Sequence, residues 1–141
     1  MRYKSIPKRV RELVYQKCDG HCAYCGKPIE YKDMQVDHIK PVFHNWNYVD
    51  KERWLKEHYG DDSIENLNPS CRACNYYKSS MSLESLRSEL GHLLERLDKT
   101  FTYRLAKSYG LIEEHPQDIK FYFEKAEENG KQKQSGIASE G

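Results

Sequence analysis

Apolar residues fall at helical spacing in several stretches of this chain and at strand spacing in others, with turn formers between them. Pro7 opens the first pattern, since the donor it lacks has no partner in a first helical turn. Val10, Leu13 and Val14 follow, so residues 7–18 predict an amphipathic helix that Asp19-Gly20 ends. Two short extended segments, 29–31 and 34–39, predict a β-hairpin turning at Lys32-Asp33. Residues 50–60 predict a short helix capped by Asp50 and stopped by Gly60. Residues 64–69 read as a loop ending in proline, with a helix beginning at Ser70. Leu83, Leu86, Leu90, Leu93, Leu94 and Leu97 predict a longer helix of roughly four turns. A further helix over 101–109 stops at Gly110. Ile119, Phe121 and Phe123 alternate with polar positions and predict a half-buried strand. From Glu127 onward Gly, Gln, Lys and Ser dominate, the composition of a disordered tail.

Composition narrows this picture. A length of 141 residues predicts one domain. With 38% of residues hydrophobic and 32% charged the core is thin, and a metal cross-link would help to stabilise it. The formal net charge of +1 says little about partners, but its distribution says more. Arg2, Lys4, Lys8, Arg9 and Arg11 crowd the first eleven residues, whereas Glu124, Glu127 and Glu128 lie near the other end. No apolar run approaches the roughly 18 residues of a membrane span, and the N-terminus carries no apolar signal segment. A cytoplasmic, intracellular protein is the expectation.

In that reducing compartment paired cysteines more often bind metal than form disulfides. Cys22-x-x-Cys25 and Cys71-x-x-Cys74 each have the spacing that lets two thiolates reach one zinc ion. Cys18 is left over and reads as a buried or free thiol, and a local set of Cys18, His21, Cys22 and Cys25 is the rival zinc site. Between the pairs, Val36-Asp37-His38-Ile39 sets an acid beside an imidazole in a short apolar strand. Imidazole titrates near neutral pH and suits a general base. Asp37 and Asn75 offer oxygen ligands, a hard set that suits Mg²⁺ or Mn²⁺. Neighbouring strand side chains point to opposite faces, so Asp37 and His38 cannot both aim straight at one ion. On the predicted helix, Lys78 lies three residues beyond Asn75 and can meet a phosphate. His44 follows the strand as a loop histidine, and Trp46, Trp54 and the tyrosines are read as partly buried.

Taken in order, Cys22-x-x-Cys25, Asp37-His38, Asn66-Leu67 and Cys71-x-x-Cys74-Asn75-x-x-Lys78 resemble the HNH endonuclease family, in its branch with a four-cysteine zinc site. The resemblance covers roughly residues 9–80. It implies an α+β fold, a small zinc-stabilised ββα-metal core with a helical and strand C-terminal extension. His38 matches the family's first histidine, Asn66 its asparagine, and Asn75 stands where the last histidine usually stands, making an H-N-N variant. The implied function is metal-dependent hydrolysis of DNA, double-stranded above all, leaving 5′-phosphate and 3′-hydroxyl ends. His38 would activate water, Asn66 would hold the histidine's segment, and Asp37 and Asn75 would hold Mg²⁺ or Mn²⁺. Cys22, Cys25, Cys71 and Cys74 would bind structural zinc, and Lys8, Arg9 and Lys78 would meet nucleic acid. The expected organisation is a nuclease core over 1–80, a helix-rich extension packed on it over 81–125, and a disordered tail over 126–141. The alternatives are a non-catalytic zinc-containing nucleic-acid-binding module and a zinc-framed protein-interaction domain using the leucine-rich helix.

Overall fold

The computed structural model describes residues 5–41 and 61–129. Its first helix, α1 (Lys8–Lys17), forms where predicted, with Val14 wholly buried and Val10 partly so, whereas Leu13 of the expected stripe is exposed. Two of its cations turn inward. Arg11 donates to the carbonyls of Tyr31 and Met34, each at 2.8 Å, and Lys17 donates to those of Ile64 and Leu67. Lys8 and Arg9 stay on the exposed face.

The expected hairpin does not form. Residues 31–33 close into a 3₁₀ turn, in which Asp33 and Met34 donate back to Glu30. Arg11 pins the carbonyls on that turn, and this draws the segment out of an extended path. Strand β1 (Gln35–His38) instead pairs antiparallel with β2 (Leu67–Ser70), the register setting Asp37 opposite Asn68 and His38 opposite Leu67. The stretch expected to be a loop thus divides into a 3₁₀ turn over Ile64–Asn66 and the start of a fully buried strand. Pro69 fits because among the described residues this sheet has two strands and an edge tolerates the missing donor. Its carbonyl accepts from Ala23 at 2.8 Å, tying the first cysteine loop to the sheet.

Helix α2 (Arg72–Lys78) follows β2 directly. Val14, Met34 and Leu67 form the core between α1 and the sheet, with Ile6, Val10, Ile29 and Val36 packed around them. Each such buried side chain contributes about 1.5–3 kcal/mol relative to exposure.

Residues up to Ser82 group with those from Phe121 onward in one compact unit, and Leu83–Lys120 form a second. The expected extension over 81–125 therefore gives its last residues back to the first unit. There the predicted strand over 119–124 is replaced by a helical segment over 122–129. A one-sided cap starts the turn: the Glu124 carboxylate accepts from the Phe121 backbone N–H at 3.0 Å, and the Glu124 N–H donates to the Phe121 carbonyl. The strand's expected bonds survive only in part, as Tyr122 and Phe123 donate to the carbonyls of Tyr24 and Ala23. Phe121, almost wholly buried, meets the Tyr24 ring edge-on, and Gly26, at φ +82°, gives room for Tyr122.

In the second unit the expected four-turn helix is two helices, α3 (Leu83–Gly91) and α4 (Leu93–Asp98). Gly91 weakens the join, and the His92 ring bonds the Ser88 carbonyl at 2.6 Å where a straight helix would continue. Helix α5 (Phe101–Ser108) ends at Gly110 as its sequence predicts. Gly110, at φ +69°, and Leu111 donate to the carbonyls of Lys107 and Ala106, the paired bonds of a glycine-terminated helix end. The helix expected over 50–60, His44, Trp46, Trp54, and the tail from residue 130 lie outside the described residues. No helix among the described residues is long and apolar enough to cross a membrane.

Candidate active site and metal centre

The metal centre is assembled by elements far apart in sequence. The turn after α1 delivers Cys22 and Cys25, and the start of α2 delivers Cys71 and Cys74. All four Sγ atoms lie within 4.8 Å of one another. Tetrahedral zinc with Zn–S bonds of about 2.3 Å sets its thiolates about 3.8 Å apart, and the Cys25 and Cys71 sulfurs are separated by 3.9 Å. Donor type, number and spacing therefore fit zinc. Among the described residues no other group of three or more His, Cys, Asp and Glu side chains converges in this way. A hydrogen bond from Cys74 holds the Cys22 thiol down at about 4, and the same bond keeps Cys74 well above the usual thiol range. A cation would replace those shared protons.

Cys18 is not part of the cluster. It is a separate buried thiol, pushed up to about 11 by burial. His21 serves the turn, its Nδ1 within reach of the carbonyls of Cys18 and Asp19, and its ring stacks on Tyr122.

Behind this centre, β1 presents Asp37 and His38 on opposite faces. Asp37 is 5% exposed. Its Oδ2 accepts from the Tyr24 hydroxyl at 2.5 Å and lies 3.1 Å from Lys78 Nζ. Burial raises the Asp37 carboxyl above its ordinary range, opposed by the Tyr24 hydrogen bond and the Lys78 charge. The same burial raises the Tyr24 phenol, and the Asp37 charge adds to it.

Lys78 is the largest departure from expectation. It is fully buried rather than on the surface where a phosphate contact was expected. Its Nζ donates to the His38 carbonyl at 2.8 Å and meets Asp37 Oδ1 at 3.4 Å, so it fastens α2 to the end of β1. Four methylenes carry the ammonium inward, a reach that helix position alone does not reveal. Removing one partner of such a pair leaves an uncompensated buried charge and costs about 3–5 kcal/mol. Lys78→Met is expected to lower stability by about that amount in urea unfolding. Adding Asp37→Asn to the same chain recovers part of it, because the stranded charge is gone.

His38 faces the other way. Its Nε2 lies 2.7 Å from Asp62 Oδ1. Asn66 ties the two flanking segments: its side chain accepts from the Lys40 N–H and donates to the carbonyls of Lys40 and Asp61. Its own carbonyl accepts from Ile39 at 2.8 Å. Asn75 is half-buried on α2, one residue beyond Cys74, and among the described residues no hydrogen bond joins it to Asp37 or His38. Sequence reasoning missed Tyr24 and Asp62. Tyr24 sits between two ligands and read as loop, while Asp62 meets His38 across 24 positions with no local signal.

Residues 22–80 match the HNH endonuclease family model. The matched segment is under half of the chain, and it holds both cysteine pairs, Asp37-His38 and Asn66. No curated protein matches the chain. Among solved structures, the Type II-C Cas9 enzyme from Actinomyces naeslundii is similar over 63% of this chain, at 24% identity and a TM-score of 0.46. The chain spans 9% of that protein's length.

Proposed function

We propose that this domain is a metal-dependent endonuclease that hydrolyses DNA phosphodiester bonds, double-stranded DNA first, with His38 as the general base. The observation that supports this most is the treatment of His38: its backbone is fastened by Lys78 and its imidazole is held by Asp62, at the end of a strand inside the family-matched segment. Cleavage needs a nucleophilic water and a group that takes its proton. His38 supplies the base, and Asn66 keeps the strand end and the facing loop in register.

Asp37 and Asn75 would hold Mg²⁺ or Mn²⁺. The carboxylate fits that task by its bonding capacity. Oδ2 is engaged twice, but among the described residues Oδ1 has only the 3.4 Å contact to Lys78, leaving lone-pair capacity for one bond to a hard cation. The amide oxygen of Asn75 is the second hard donor. When bound, the ion would stabilise charge developing on the phosphate and the leaving oxygen. Structural zinc in the four-cysteine cluster would fasten the first loop to α2, with no part in the reaction. Lys8 and Arg9, exposed on α1, would meet the DNA backbone.

A second reading, a non-catalytic zinc-containing nucleic-acid-binding module, is favoured by the enclosure of Asp37 between Tyr24 and Lys78. Metal titration of plasmid nicking separates the two. Under the nuclease reading Asp37→Ala and Asn75→Ala each raise the Mg²⁺ or Mn²⁺ concentration needed for half-maximal nicking by at least about tenfold, and the product ends carry 5′-phosphate. Unchanged metal dependence in both variants removes them as ligands.

A further inference from the structure

We propose that Asp62 is the positioning residue of the His38 base, fixing which ring nitrogen carries the proton. The inference rests on the reading of His38 as that base. The two side chains come from segments 24 residues apart, and their contact is built from both sides. On one side, Asp61 Oδ1 accepts from the Ser63 N–H at 3.0 Å and Asn66 N–H donates to the Ser63 carbonyl at 2.9 Å, so residues 61–66 form a closed turn. On the other, Asn66 bonds both backbone groups of Lys40 and accepts from Ile39. One asparagine therefore fixes the Asp62 backbone relative to the end of β1.

The environments of the partners differ. The His38 side chain is 11% exposed and the Asp62 side chain 65% exposed. An ionised carboxylate on such a surface can only accept, so the 2.7 Å contact requires the proton on Nε2. Neutral imidazole then carries its lone pair on Nδ1. Asp62 thus selects Nδ1 as the atom that takes a proton from water, and holds the ring at the angle that presents it. Without Asp62 both tautomers and several ring orientations compete, and only a fraction of molecules is poised to react. Asp62 touches neither water nor phosphate in this account, so its loss lowers turnover and leaves substrate binding unweakened.

The test uses the full, zinc-loaded chain. Long-range ¹H–¹⁵N correlation spectra of the histidine rings, recorded over a pH series, are compared for wild type, Asp62→Ala and Asp62→Glu, alongside kcat and KM for plasmid nicking. Wild type is expected to hold His38 as the Nε2–H tautomer, Asp62→Ala to give a mixture, and Asp62→Glu to restore the preference with a carboxylate on a longer stem. In parallel, kcat of Asp62→Ala falls by about 10- to 100-fold with KM unchanged or lower. If Asp62→Ala keeps both the wild-type tautomer and the wild-type kcat while His38→Ala is inactive, Asp62 has no positioning role and the base reading stands. If wild type holds the Nε2–H tautomer yet nicks no DNA, the base reading itself falls and Asp62 is left as a surface contact.

Discussion

Cys71→Ser is expected to abolish the zinc binding proposed for the four-cysteine cluster, about one ion per chain in the wild type, and to unfold the unit that holds residues 5–41 and 61–82. The substitution isolates metal binding. Cys71 is also the N-cap of α2, its Sγ accepting from the Cys74 N–H at 3.4 Å. Serine is among the preferred N-cap residues, so the cap survives and only the thiolate is lost. What goes with the ion is large, because binding of structural zinc supplies on the order of 10–16 kcal/mol in small zinc domains and that energy is folding energy. The apolar core that remains, centred on Val14, Met34 and Leu67, is small beside it. Metal analysis and urea unfolding of both proteins check the prediction, and a chelator should act on wild type as the mutation does. Zinc retained in the variant with unchanged stability would point instead to a local set around Cys18 and His21.

His38→Ala should do the opposite, leaving the fold and removing the activity. Among the described residues the side chain contributes one hydrogen bond, to the exposed Asp62, and the contact that fastens the strand end uses the backbone carbonyl, which alanine keeps. Stability is expected to change little. Loss of a positioned general base lowers turnover by about 10²–10⁴-fold, with little change in KM because the ring does not anchor the DNA. Lys78 separates the two kinds of effect: its substitution strands the Asp37 charge and lowers stability, whereas that of His38 does not.

The ordered motifs were legible because they are local. Each Cys-x-x-Cys pair, the adjacent Asp37-His38 and the glycine that stops α5 announce themselves within a few residues. The convergence of the two cysteine pairs followed from ligand number. What the sequence hid depends on long-range partners. The choice of β2 as partner of β1 was masked by Pro69, which reads as a breaker unless the sheet has only two strands. The inward turn of Lys78 depends on a buried carboxylate that its own helix does not reveal. The contact of His38 with Asp62 is set by Asn66, whose side chain closes a turn across 26 positions. The alternation of Ile119, Phe121 and Phe123 was real, but the Glu124 cap outweighed it and wound the segment into a helix.

The central claim, that His38 drives metal-dependent DNA cleavage within a zinc-held frame, is tested most directly by one comparison. Wild type and His38→Ala, matched for zinc content and for unfolding midpoint, are incubated with supercoiled plasmid in Mg²⁺, in Mn²⁺ and in excess chelator. The account predicts nicked or linear product from wild type with either added metal, none with chelator, and at least about a hundredfold less from the variant. Equal cutting by the two proteins, or intact plasmid from zinc-loaded wild type under both metals, would contradict it.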